Sequence, residues 1–133
     1  MNGMPPLELH LANGPAALLA AVPLVLNLGI LAYGYRKLTL DAQNVLYLLF
    51  VAGACCWQAF DVGVRLAATE ATAAWFRGFF RPGQLLAINF GLHFVALYVG
   101  RDRVAHAGWF WALLYIPPML EFCTWRTWPT DRR

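Results

Sequence analysis

Residues 75–83, WFRGFFRPG, place Arg77 and Arg81 four positions apart among four aromatics, directly ahead of a long apolar run. Three settings suit such a stretch: a nucleic-acid patch, an amphipathic surface helix, or the edge of a segment held in lipid. Composition decides among them. The chain has 133 residues, is 60% hydrophobic and only 13% charged, and has a mean hydropathy of +0.52, whereas an ordinary soluble domain is roughly 25% charged. A soluble fold this small has too little interior to hide so much apolar surface. Ten Lys and Arg against seven acids give a net charge of +3. These bases stand at segment boundaries rather than on one stripe, so no nucleic-acid partner is expected.

Working outward from Trp75, four apolar segments lie near the roughly 20 residues that cross about 30 Å of hydrocarbon. The first runs from about Pro15 to Tyr35 and is closed by Arg36 and Lys37; the second runs from about Asn44 to Leu66, with Asp61 and Arg65 in its last turns. The third is clean from Gly83 to Gly100, with a helix start near Thr72 and a bend at Pro82. The fourth, Gly108 to Trp125, carries Pro117 and Pro118, which should bend or interrupt it. The expected fold is all-α: one integral membrane domain, 1–133, with transmembrane helices at about 15–35, 44–66, 72–100 and 108–125 in an up-down bundle kinked in helices 3 and 4. Met1 to Asn13 lacks a basic leader and a convincing cleavage site, so the first helix is expected to stay attached. No internal repeat or low-complexity tract is evident.

Orientation follows from the Lys and Arg bias. Arg36, Lys37, Arg101 and Arg103 fall in the loops after helices 1 and 3. Raw counting favours the other side, which holds Arg65, Arg77, Arg81, Arg126, Arg132 and Arg133, but the first three lie in or beside helices with acids in reach. With a base-free N-terminus, both chain ends are expected outside. In this frame the arginines of the opening stretch lie at the membrane boundary. There they either snorkel beside an interfacial aromatic belt or turn inwards to meet Asp61 or Glu121.

Polar residues inside membrane helices are costly, so each is a candidate site residue. Asn27 lies mid-helix 1, Gln58 and Asp61 in the outer part of helix 2 with Arg65 one turn on, Asn89 and His93 at i, i+4 in helix 3, and Glu121 in helix 4. Most fall in one half of the bilayer, which suits either plain interhelical hydrogen bonding or a shared network that, with Arg77 and Arg81, lines a pocket for a small molecule or a lipid headgroup. No chain of titratable groups crosses the bilayer. His93 is either a hydrogen-bonded packing residue or a ligand to a haem or a chlorophyll-type pigment; otherwise no cofactor is expected. Cys55, Cys56 and Cys123 lie in apolar runs without metal-ligand spacing, and no phosphate loop or nucleophile set occurs, so neither metal site nor enzyme activity is expected. Cys55, Ala59 and Gly63 recur at four-residue spacing, a small-residue stripe for close helix packing, which Ala17 and Ala21 repeat more weakly.

The runs CCWQAFDVGVRL, AAWFRGFFRPGQLLAINFGLHFVALYVGRDR and WALLYIPPML together resemble the N-terminal seven-helix membrane sensor region of bacterial histidine kinases and diguanylate cyclases. The features that carry the likeness are Trp57 in helix 2, Pro82 in helix 3, the F-x-x-x-Y-x-G-R run of Phe94, Tyr98, Gly100 and Arg101, and the Ile116 to Pro118 break. The resemblance covers about Ala21 to Trp125, the first four helices of such a region, and implies an extracytoplasmic N-terminus. It supplies no catalytic residue, and the 133 residues hold no phosphotransfer or cyclase sequence. Two functions are therefore expected. One is a non-catalytic accessory or scaffold subunit that meets lipid and other integral membrane subunits through lateral helix contacts. The other is a sensory input module that binds a small ligand and signals through a separate kinase or cyclase.

Overall fold

The computed structural model describes Leu9 and residues 14–126. Among these residues the protein is all-helical. Four long helices, α1 (Gly14–Lys37), α2 (Ala42–Leu66), α3 (Glu70–Tyr98) and α5 (Gly108–Arg126), are joined by short connections, the last of which holds a single-turn helix, α4 (Asp102–Ala105). The four expected segments are all present, each within two residues of its expected bounds; α4 is additional. An isolated antiparallel bridge links Leu9 to Ala67.

Local chemistry explains the boundaries. Asp41 caps α2 by accepting the Asn44 backbone N–H at 2.8 Å, and Thr69 caps α3 by accepting that of Thr72. Beyond Tyr98 the chain turns at Gly100, whose φ of +72° is the left-handed conformation that glycine adopts without penalty. The Arg101 N–H then reaches the Ala96 carbonyl and the Gly100 N–H the Leu97 carbonyl, a Schellman closure of α3. Pro23, Pro82 and the Pro117-Pro118 pair sit inside helices that continue through them. The expected interruption at Pro117-Pro118 is thus not found: α5 runs on to Arg126.

Packing departs from a closed bundle. α1 packs on α2, α2 on α3, and α5 on α3, while the backbones of α1 and α3, of α1 and α5, and of α2 and α5 do not approach. The long helices form an open row with α2 and α3 at its centre. The reason lies in where the small residues are. A Cβ built on Gly53 would stand 2.5 Å from the Ala87 Cβ and 2.9 Å from the Gly83 carbonyl oxygen, one on Gly83 would meet Cys56, and one on Gly63 would run into the Phe76 ring. The α2–α3 seam closes because those side chains are missing. Of the expected stripe, Cys55 and Gly63 are buried and Ala59 is half-buried; the closest backbone approach is at Gly53, against Ala87 and Gly83. Ala17 is buried and Ala21 half-buried.

Two helices, α1 and α2, are long and apolar enough to cross a membrane. Only 6% of the apolar window of α1 and 28% of that of α2 is buried within the protein, unlike the core helix of a soluble protein. Along α1 the only buried residues are Ala17 and Gly34, while Leu18 and Leu19 are 70% and 76% exposed.

Candidate functional site

The stretch that opened the sequence reading lies in the first half of α3. Its aromatics form a ribbon: Trp75 stacks on Phe79 with centroids 5.1 Å apart, and Phe76 stacks on Phe80 at 6.2 Å. Arg77 and Arg81 project outward and are both paired. Arg77 reaches Glu70, two helical turns back on its own face, and Arg81 reaches Glu121 on α5. Of the inward alternative only the Arg81–Glu121 partnership is present, with both side chains still well exposed. Arg77 departs from it by pairing along its own helix, because seven residues bring Glu70 back under the same face. Glu70 was not singled out from the sequence, although its spacing to Arg77 was a legible signal.

The remaining polar residues form pairs distributed along the helices. The Asn27 side-chain amide donates to Gln58 Oε1 at 3.1 Å, tying α1 to α2. Arg65 Nε donates to Asp61 Oδ2 at 3.0 Å, an i, i+4 pair on α2 with both side chains nearly half exposed. Asn89 donates back to the Leu85 carbonyl of its own helix at 3.1 Å, the way a polar side chain in a helix satisfies itself locally. His93 stands apart from the charged pairs. It is twelve residues beyond Arg81, about 18 Å along the axis, and so lies towards the opposite end of α3.

His93 is 2% exposed. Its Nδ1 lies 3.0 Å from the Tyr115 hydroxyl, and its ring is met edge-on by Trp111 at 4.6 Å and by Phe110 at 5.7 Å between centroids. This centre is the main seat of α5 on α3. With Nδ1 on the Tyr115 hydroxyl and Trp111 and Phe110 packed edge-on against the ring, the arrangement suits a packing histidine. Tyr115 carried no sequence signal, because the register of α5 against α3 is a tertiary property. Among the described residues no group of three His, Cys, Asp or Glu could hold a metal ion.

One concave feature borders the expected polar residues. A cleft of about 350 Å³ between α1 and α2 is lined by Ala20, Pro23, Ala54, Trp57, Gln58 and Asp61. Its size is within the range of small-ligand sites, and its polar wall is the side of Gln58 and Asp61. The Asn27–Gln58 bond beside it is a direct test of the α1 seat. Asn27→Leu is expected to weaken the packing of α1 on α2 by about 0.6 kcal/mol, the mean for an interhelical hydrogen bond in a membrane. A shift in the midpoint of reversible unfolding in mixed detergent–SDS micelles would measure it, and Gln58→Leu in the same background should add nothing further.

Comparison with known proteins finds no matching family model, no matching curated protein and no matching solved structure.

Proposed function

We propose that the chain is a four-pass protein of the bacterial cytoplasmic membrane that works as a non-catalytic accessory or scaffold subunit, docking sideways against other integral membrane subunits. The observation that carries this reading is the open row of helices. A closed bundle covers each helix on two sides, whereas here α1 and α5 each have one long neighbour and leave apolar flanks to lipid or to another chain. The weight of α1 and α2 in the proposal rests on their length, apolarity and slight burial. The attachment of α1 is supported by its bond through Asn27 and by the contact of Gly34 with Leu48. The reading takes α3 and α5 as the third and fourth crossings, since α3, at 29 residues, is about 43 Å long and α5, at 19 residues, about 28 Å. The N-terminus is placed outside.

The test is purification of the native protein from its membranes in a mild detergent, with mass spectrometry of what accompanies it. A stoichiometric integral membrane partner is the expected result; a lone monomer at every detergent mildness overturns the proposal. The cleft beside Trp57, Gln58 and Asp61 favours a second reading, a sensory input module resembling the kinase and cyclase sensor regions. In that case the accompanying chain is a histidine kinase or a cyclase.

A further inference from the structure

A second groove runs between the C-terminal half of α1 and the N-terminal half of α2, at the opposite end from the Asp61 cleft. It encloses about 530 Å³, which is ample for a lipid chain and within the range of small-ligand sites. Its walls are side chains one and two turns apart on each helix, chiefly Leu28, Leu31 and Tyr35 of α1 and Val45, Leu48 and Leu49 of α2, and they are apolar over their length. From Leu28 to Tyr35 it is about 10 Å deep, less than the roughly 15 Å of hydrocarbon in one leaflet.

Charge singles out the mouth. Arg36 follows the groove residue Ala32 by four positions and so stands one turn beyond the wall, with Lys37 beside it. Both are exposed, and neither side chain has a hydrogen-bond or ion-pair partner among the described residues. The acid that follows them, Asp41, is already engaged: its carboxylate accepts the Asn44 backbone N–H, the Asn44 side-chain amide and the Thr39 hydroxyl. Within α2 itself the first turn adds no further acid to that cap. We propose that this groove binds one anionic phospholipid, with an acyl chain between α1 and α2 and the phosphate on Arg36 and Lys37, an inference that rests on the membrane reading above.

Two bases each contribute about 1 kcal/mol near an anionic surface, roughly fivefold apiece and about 30-fold together. The full chain, purified in detergent and mixed with equal amounts of phosphatidylglycerol and phosphatidylcholine of identical acyl chains, should retain the anionic lipid in native mass spectrometry with a preference of that order. R36Q/K37Q should abolish the preference, R101Q/R103Q at the same end should leave it, and Leu49→Trp should reduce retention of both lipids by filling the groove. Circular dichroism checks that each variant keeps its helicity. Equal retention of the two lipids by the wild-type chain, or an undiminished preference in R36Q/K37Q, overturns the proposal. Release of the wild-type chain from vesicles by alkaline carbonate overturns the membrane reading itself, whichever lipid is retained.

Discussion

Gly53→Val is expected to unseat α3 from α2 and to lower the stability of the helix assembly by about 2–3 kcal/mol, the cost of forcing atoms into a packed interface. The magnitude follows from what the new side chain meets. Its first carbon alone falls within 2.5 Å of the Ala87 Cβ and 2.8 Å of the Ala87 Cα, and a backbone atom cannot swing aside as a side chain can. Gly63 is the instructive contrast. The three atoms nearest a Cβ there all belong to the Phe76 side chain, which a change at χ1 can carry away, so Gly63→Ala should cost less than Gly53→Ala. Ala59→Val, at a half-buried position, should change stability least of the three sites. Reversible unfolding in mixed detergent–SDS micelles, followed by tryptophan fluorescence, ranks them. A transition for Gly53→Val that coincides with that of the unaltered protein would show that α2 and α3 do not meet at this point.

The second large effect is expected at His93. Truncation to alanine removes a ring enclosed by Trp111, Phe110 and Tyr115 and leaves the Tyr115 hydroxyl without its partner. A cavity of this kind costs about 3 kcal/mol, to which an orphaned hydroxyl adds about 1 kcal/mol. His93→Phe keeps most of the volume and loses only the bond, so it should lie between alanine and the unaltered protein. This order distinguishes packing from ligation. If the ring served mainly to hold a metal or a pigment, alanine and phenylalanine would lose the same function to the same degree and the graded stability series would be absent.

Together these two sites describe how the row is held. The α2–α3 seam depends on missing side chains, and the α3–α5 seam on one bulky polar centre. Between α1 and α2 the helices pack over a longer stretch than α3 and α5 do, and that seam includes the Asn27–Gln58 amide pair and the Gly34–Leu48 contact. Packing is closest at the α2–α3 centre, and α1 and α5, each with one long neighbour, keep an apolar flank free for another chain.

The helices themselves were legible in the sequence because they need only local information: apolar runs of crossing length, Asp41 and Thr69 as caps, Gly100 as a stop. So was the Arg65–Asp61 pair, which needs nothing beyond a four-residue spacing on one helix. The Arg81–Glu121 pairing was foreseen as one alternative because both charges had to lie at the same membrane boundary. Tyr115 was not foreseen, nor was Gly53 as the point of closest approach. Both depend on the rotation and register of one helix against another, and no local pattern records these. Hydropathy alone determined that this polypeptide is made of long apolar helices, since that property is a sum over residues. Tertiary packing decided that the helices stand in a row rather than a closed bundle, and that the polar residues form scattered pairs. Those outcomes depend on which small residue on one helix meets which on the next.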